Sequence, residues 1–461
     1  MNNSPRVVNR PDWITPFVRL LFVVSLLYLL YSLLVYGWFQ SWQDQGFLLI
    51  QKLRMFPPFA DLRWITATSE CGVDLGDLSI GKAFGCDPYG RGGIEYPPMS
   101  IIIARLLGVE GSHTGLIGLS TGLALVGLFW AQLRQMVPSS WKRDLVGAVI
   151  MLGFPVQLAL ERGNVDIVLF LMMVSLAAAL ASKRLWVLPI CLALSFVLVA
   201  VKIYPFVGLF AWVGFALLAR TKVEPAKYAV LMGAVLGCAS FLPWYLGHAG
   251  VLPNPDNPLI SHGFFGVPQY SFVRQVASSW PRFSRFGLET ALFLIKLFLF
   301  AIPLVASIRL NMAVHFRRFL DARFDVYTSG FFRVFIELTG LTWLACYFLV
   351  GSYDYRMIYA FPGWIGCVAL YFHLRQGGPS PIGKLLMIQI SLMPLIFIPG
   401  ILEFSFIPPF LGGVPKCIAF FSGLFVLPYS AGMLAGLLIL VPDWIRRLPA
   451  YKAFEKLPSP I

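Results

Sequence analysis

This sequence is poor in charge and poor in the motifs that grip nucleotides or metals. Only 13% of its 461 residues are charged, about half the share of a soluble domain. It contains no Gly-x-x-x-x-Gly-Lys-Ser/Thr loop, no Gly-x-Gly-x-x-Gly turn, no His-Glu-x-x-His helix and no Asp-x-Asp pair. The string Gly81-Lys82 lacks the spacing of a phosphate loop. A nucleotide-driven or zinc-dependent activity is therefore not supported, and no cofactor and no metal site is expected. Its seven cysteines include no Cys-x-x-Cys, which removes the usual thiolate metal sites. There are no clear repeats. Acidic residues are scarce, 22 against 36 Lys and Arg, for a net charge of +14. Such a balance admits nucleic acid or anionic lipid as a partner. However, the cations fall in short loops between apolar blocks, which is what the positive-inside rule produces. Membrane lipid, and no nucleic acid, is the expected partner.

What is abundant is apolar sequence: 58% of residues are hydrophobic and the mean hydropathy is +0.75. The excess comes in blocks of about 17–23 residues, the helical length that crosses about 30 Å of hydrocarbon. A membrane β-barrel would need short alternating segments instead. The expected fold is an all-α polytopic membrane protein, a single integral domain over 1–461 with about twelve transmembrane helices. The first block, Phe17–Phe39, is too long for a signal-peptide core and lacks a small-residue cleavage site, so it reads as a retained span. Further blocks are Thr114–Leu133, Asp144–Leu160, Val165–Ala181, Leu185–Ala200, Tyr204–Ala219, Tyr228–Gly247, Leu288–Ile308, Phe331–Val350, Tyr355–His373, Leu385–Leu402 and Ile418–Val441.

Charge sets the expected topology. Basic clusters lie at Arg134/Lys142/Arg143, Lys183/Arg184, Arg220/Lys222/Lys227, Arg309/Arg317/Arg318/Arg323, Arg375/Lys384 and Arg446/Arg447/Lys452/Lys456. Placing all of them in the cytoplasm with both termini requires a single crossing between Pro97 and Arg134. The run Pro97–Val109 is then a juxtamembrane or re-entrant helix within a first extracytoplasmic loop, 40–113. A second outer loop, 248–287, is rich in Pro, Gly and aromatics; it reads equally as a lid or as an ordered surface loop. The segment 309–330 reads as cytoplasmic and amphipathic, its Arg/Phe mixture suggesting a helix on the inner leaflet. The location is a cell inner or plasma membrane.

With that topology the polar strings gather on the outer face. They are the Arg54–Pro98 stretch, Glu161–Asp166, Lys202-Ile203-Tyr204-Pro205 and Tyr353-Asp354-Tyr355-Arg356. Charges at span ends usually face a cavity or a partner. Lys296, inside a span, is expected to face a cavity, a ligand phosphate or a carboxylate on another helix. Cys191, Cys238, Cys346 and Cys367 lie in apolar blocks and read as packing residues. Cys71 and Cys86 flank one polar segment; a loop-closing disulfide and two free thiols are equal alternatives, because spacing does not reveal Cα proximity.

Five strings carry a resemblance: Phe59-Ala60-Asp61-Leu62-Arg63-Trp64-Ile65, Asp87–Pro98, Glu161–Asp166, Val201–Phe206 and Ser352–Tyr359. In order and spacing the set resembles the polyprenyl-phosphate-sugar-dependent glycosyltransferases of the GT-C fold, specifically glycosyltransferase family 87. The likeness runs from the first span to about Phe361. It implies a GT-C-like fold and transfer of a hexose, mannose or a close relative, from a polyprenyl-phosphate-sugar donor to a glycan or glycolipid acceptor at the extracytoplasmic face. In that family an Asp early in the first outer loop is the base, a position similar to Asp61. The chemistry explains the need: a lipid phosphate leaves as a stable anion, whereas a sugar hydroxyl is a poor nucleophile and needs a carboxylate to take its proton. One base and direct displacement imply inversion. Capping of a juxtamembrane helix is the structural alternative for Asp61.

Lys202 resembles the family's Lys-x-Tyr-Pro lysine. Together with Arg356 and Arg162 it is a candidate for the donor phosphate, since Arg forks onto phosphate oxygens and Lys supplies a point charge. Snorkelling to headgroups is the alternative for each. Asp87, Tyr89, Glu95, Asn164, Asp166, Tyr204 and Asp354 are candidates for holding sugar or acceptor, or for supporting the cations. The chain departs from the family in Arg162-Gly163-Asn164, where Gly-Gln-x-Asn is common, and at Glu95, where an apolar or aromatic residue is common. Two rival classes remain: a lipid-linked glycan transporter, or a polymerase or ligase using diphosphate carriers. A non-catalytic scaffold is a third.

Overall fold

The computed structural model describes residues 59–70, 98–138, 141–153, 163–182, 184–218, 285–349, 354–404 and 422–441, with short runs in 16–27, 155–160 and 446–452 and the single residue 232. Among the described residues 89% are helical and none is in a strand. Residues 248–284 of the expected outer loop, the span Tyr228–Gly247 apart from Met232, and the residues Cys71, Cys86, Asp87, Tyr89, Glu95 and Arg162 lie outside them, whereas 285–287, expected in the loop, belong to a helix.

Chain order runs α1 (Ala60–Glu70), α2 (Pro98–Leu106), α3 (Thr114–Met136), α4 (Trp141–Leu152), α5 (Val165–Ala181), α6 (Leu188–Val201), α7 (Ile203–Leu218), α8 (Arg285–Arg309), α9 (Met312–Arg323), α10 (Val326–Leu349), α11 (Phe361–Arg375), α12 (Pro381–Phe404) and α13 (Leu427–Leu438). Among the described residues three helical stretches, Gly111–Met136, Thr290–Arg309 and Val326–Phe348, are long and apolar enough to cross a membrane. Shorter apolar helices accompany them, including Val165–Ala181, Leu188–Val201 and Leu424–Leu438. At nine residues α2 is too short to span.

Local chemistry sets the element ends. Prolines sit in the first turns of α6, α11 and α13, where the missing N–H costs nothing. Asp325 accepts from the backbone N–H of Tyr327 and Thr328 and from the Thr328 hydroxyl, starting α10. Asn311 adopts φ 54° in the left-handed turn between α8 and α9, a conformation Asn tolerates. The block expected to be helical from Tyr355 begins instead as a 3₁₀ turn, Asp354–Tyr359, with α11 following from Phe361. Pro362, which favours an extended or turn conformation before it and a helix start after it, accounts for the shift.

The amphipathic segment 309–330 also differs from a helix lying on lipid. The apolar face of α9, Met312, Ala313, Phe316, Phe319 and Leu320, is buried within the bundle. Phe316 packs over Gly366 of α11, and the Phe319 ring meets His373 at 5.2 Å. Close crossings elsewhere rely on glycine. A Cβ at Gly432 of α13 would meet the Phe300 carbonyl of α8 at 2.2 Å, and one at Gly208 of α7 would meet Thr342 of α10 at 2.3 Å.

The bundle has two chemically distinct ends. The start of α3 lies against α1, Thr66 and Thr114 sharing a hydroxyl hydrogen bond of 2.6 Å. Its far end is gripped by Arg323, whose guanidinium donates to the Gln135 carbonyl at 2.9 and 3.0 Å. At that same far end the Tyr327 hydroxyl donates to the Ala178 carbonyl near the end of α5. Arg134, Arg318, Arg323 and Arg375 are exposed there. The candidate site occupies the opposite end.

Candidate functional site

Asp61 owes its position to the residue two before it. Phe59 is 1% exposed and sits at φ 59°, a conformation rare for a bulky side chain. Its ring fills a slot made by two glycines, Gly118 of α3 and Gly163 before α5, where a Cβ would lie 2.6 and 2.7 Å from Phe59 atoms. Gly163 itself has φ 55°. The wedge brings the start of α1 against the start of α5. Asp61, in the first turn of α1, is partly exposed there. A carboxylate is favoured at a helix N-terminus, so the capping and functional readings of Asp61 describe the same place.

Asn164 joins the elements. It caps α5, its Oδ1 accepting from the Asp166 N–H at 2.9 Å. The same Oδ1 accepts from Lys202 Nζ at 3.5 Å. With the oxygen committed to two donors, the amide nitrogen faces the other way and donates to Asp61 Oδ2 at 2.5 Å.

Lys202 stands at the C-cap of α6, in the extended break before α7. Its ammonium donates to Asp166 Oδ2 at 2.9 Å, and both groups are buried. The other oxygen, Asp166 Oδ1, accepts from the Tyr359 hydroxyl at 3.0 Å, and that hydroxyl lies as close to the Asp166 backbone carbonyl. Burial pushes the Lys202 ammonium down from its ordinary pKa; Asp166 opposes this, Arg356 adds to it, and Asp61 opposes it more weakly. Tyr204, one residue into α7, presents its ring to both cations. Arg356 lies 4.8 Å from the ring centroid and Lys202 Nζ 5.6 Å, within cation–π range. The buried Tyr204 hydroxyl has no hydrogen-bond partner among the described residues. Beneath the site an aromatic chain fixes these parts: Tyr204 to Tyr359, Tyr359 to Phe170, Phe170 to Phe129 and Phe129 to Phe361, with ring centroids 5.3–6.1 Å apart.

Of the residues singled out in the sequence, Asp61, Asn164, Asp166, Lys202, Tyr204 and Arg356 come together here. Asp87, Tyr89, Glu95, Arg162 and the Cys71/Cys86 pair lie outside the described residues, as does the side chain of Asp354. Asp166 is fully buried between Lys202 and Tyr359 and has no surface for a sugar. Lys296 is 1% exposed, on the inward face of a helix whose Leu294, Leu297 and Phe298 are exposed. Cys191, Cys346 and Cys367 are buried, as packing residues would be. Among the described residues no group of His, Cys, Asp and Glu is placed to hold a metal ion.

Sequence reasoning missed three participants. Phe59 gave no signal, since its role depends on two glycines distant in sequence. Tyr359 closes the Ser352–Tyr359 string, but nothing in the sequence singles it out from the string's other tyrosines. Glu337 lies inside an apolar span, yet its Oε1 accepts from Arg317 of α9 at 2.8 Å and its Oε2 from the Trp212 indole of α7 at 2.9 Å. The candidate span Val326–Phe348 thus carries a paired charge. No family model, curated protein or solved structure matches this chain.

Proposed function

We propose that this chain is a GT-C-like membrane glycosyltransferase. It moves a hexose, mannose being the first candidate, from a polyprenyl-phosphate donor to a glycan or glycolipid acceptor. In this reading the chain crosses the membrane about twelve times, both termini are cytoplasmic, and the basic end of the bundle is the cytoplasmic one. The site end then faces the extracytoplasmic side.

One observation carries the reading: a partly exposed carboxylate, Asp61, is tied through a single amide to a buried lysine, with an arginine across a shared tyrosine ring. A base next to a pair of cations suits transfer away from an anionic leaving group. Lys202, Arg356 and the Tyr204 hydroxyl bind the donor phosphate. The acceptor oxygen attacks the anomeric carbon while Asp61 takes its proton. The bond from that carbon to the phosphate oxygen breaks, and its electron pair stays on the lipid phosphate, where the cations stabilise it. Direct displacement inverts the anomeric centre.

The test is transfer from synthetic polyprenyl-phosphate-mannose in detergent, without a vesicle. Asp61→Asn should abolish turnover, a loss of about 10²-fold or more, while donor binding and folding persist. Near-normal turnover would remove Asp61 from the mechanism. A lipid-linked glycan transporter is the second reading, favoured by Lys296 and by the Glu337–Arg317 pair within the bundle. It requires sealed vesicles and yields no new glycosidic bond.

A further inference from the structure

We infer that Asp166 and Tyr359 are a positioning pair for Lys202: the carboxylate keeps the buried lysine charged, and the tyrosine hydroxyl keeps that carboxylate turned toward it. The inference rests on the reading of Lys202 as a phosphate ligand. It gives Asp166 a role distinct from sugar binding and brings in Tyr359, which lies far along the chain.

The geometry leaves Asp166 little freedom. Its Oδ2 takes the Lys202 ammonium at 2.9 Å, its Oδ1 takes the Tyr359 hydroxyl at 3.0 Å, and its N–H is bound by Asn164. Rotation of this fully buried carboxylate would break two charge-assisted bonds. Tyr359 is itself immobile, 0% exposed and packed against Tyr204 and Phe170.

Lysine needs such a partner here. A buried ammonium tends to lose its proton, and a neutral amine is useless to a phosphate. The groups that bear on Lys202 are Asp166 from α5, Asp61 from α1 and Arg356 from the 3₁₀ turn. The Cys346 thiol of α10 also lies within electrostatic reach. Arg356 works against the lysine's charge, and Asp61 supports it more weakly than Asp166 does. Removing Asp166 takes away the largest of the named contributions that oppose burial and Arg356, leaving the weaker one of Asp61.

The experiment is the pH dependence of binding of farnesyl phosphomannose to the full chain in detergent, by calorimetry. The probe's phosphodiester stays a monoanion through the alkaline range, so any alkaline loss of affinity belongs to the protein. Asp166→Asn should move the alkaline limb to lower pH, weakening binding about tenfold per unit of pH beyond it. Tyr359→Phe, which keeps the ring and its packing, should move the limb in the same direction by less. Lys202→Arg introduced into the Asp166→Asn chain should flatten the limb, because guanidinium stays charged without help. An unmoved limb in folded Tyr359→Phe and Asp166→Asn proteins overturns the inference while leaving the phosphate site standing. Wild-type affinity in Lys202→Met overturns the phosphate site itself.

Discussion

Gly163→Ala is the most demanding small change the site offers. The added methyl would sit 2.7 Å from Phe59 Cβ and 2.8 Å from its ring. The first of these atoms is next to the backbone, so the ring cannot swing clear, and Gly118 closes its other face at 2.6 Å. Alanine at φ 55° adds about 1–2 kcal/mol of left-handed strain, and overpacking adds about 1–3 kcal/mol. The sum is about 2–5 kcal/mol, readable in a denaturant titration of the purified protein in detergent. Phe59 carries Asp61 two residues on, and a displacement of about 1 Å in a reacting group costs about 10²-fold in rate. Turnover should therefore fall more than donor affinity, since Lys202 and Arg356 are not on α1. Phe59→Leu in the Gly163→Ala background should recover part of the stability, a non-additivity expected for residues in contact. If Gly163→Ala matches wild type within about 0.5 kcal/mol and in turnover, the wedge does not position Asp61.

Further tests address the rest of the bundle. Glu337→Ala leaves Arg317 and Trp212 without their shared acceptor, and should cost about 3–5 kcal/mol, reduced by the 14–17% exposure of the pair. A double-mutant cycle with Arg317→Met should show a coupling above about 0.5 kcal/mol, and additivity would mean the ion pair is not formed. At the basic end, hydrogen bonds from Thr328 hold Asp325 below its ordinary pKa. Its contribution is therefore complete above the ordinary carboxylate range and fades as pH falls through the depressed value. Asp325→Ala should remove this part of the acid dependence of stability, and an unchanged pH profile would refute the capping role.

The sequence shows the class of fold and much of the site, for a physical reason. Apolar runs of helix length admit few other structures, and a charge at a span end is conspicuous against them. Asp166, Lys202 and Arg356 were visible on that account, whereas Asp61 and Asn164 were singled out through strings that resemble those of a known family. What stayed hidden depends on distant pairing. Nothing near Phe59 announces Gly118 and Gly163, and Glu337 looks like an isolated charge until Arg317 of α9 and Trp212 of α7 reach it. The sequence left Asp166 open between holding sugar and supporting the cations. Asp61 and Asp166 belong to similar polar strings, and only the Tyr359 hydroxyl and the Lys202 ammonium separate a buried brace from an accessible carboxylate. The 3₁₀ turn before Pro362 marks a boundary that hydropathy alone smooths over.

The contacts of the site differ widely in chain separation, and this orders their birth. Lys202 and Asp166 are 36 residues apart, so one hairpin of helices already brings these two charges together. Asn164 then recruits Asp61 from 103 residues upstream, while Tyr359 arrives last, 193 residues after Asp166. A chain truncated before Tyr359 would thus hold the lysine and both carboxylates yet leave the cluster without its brace.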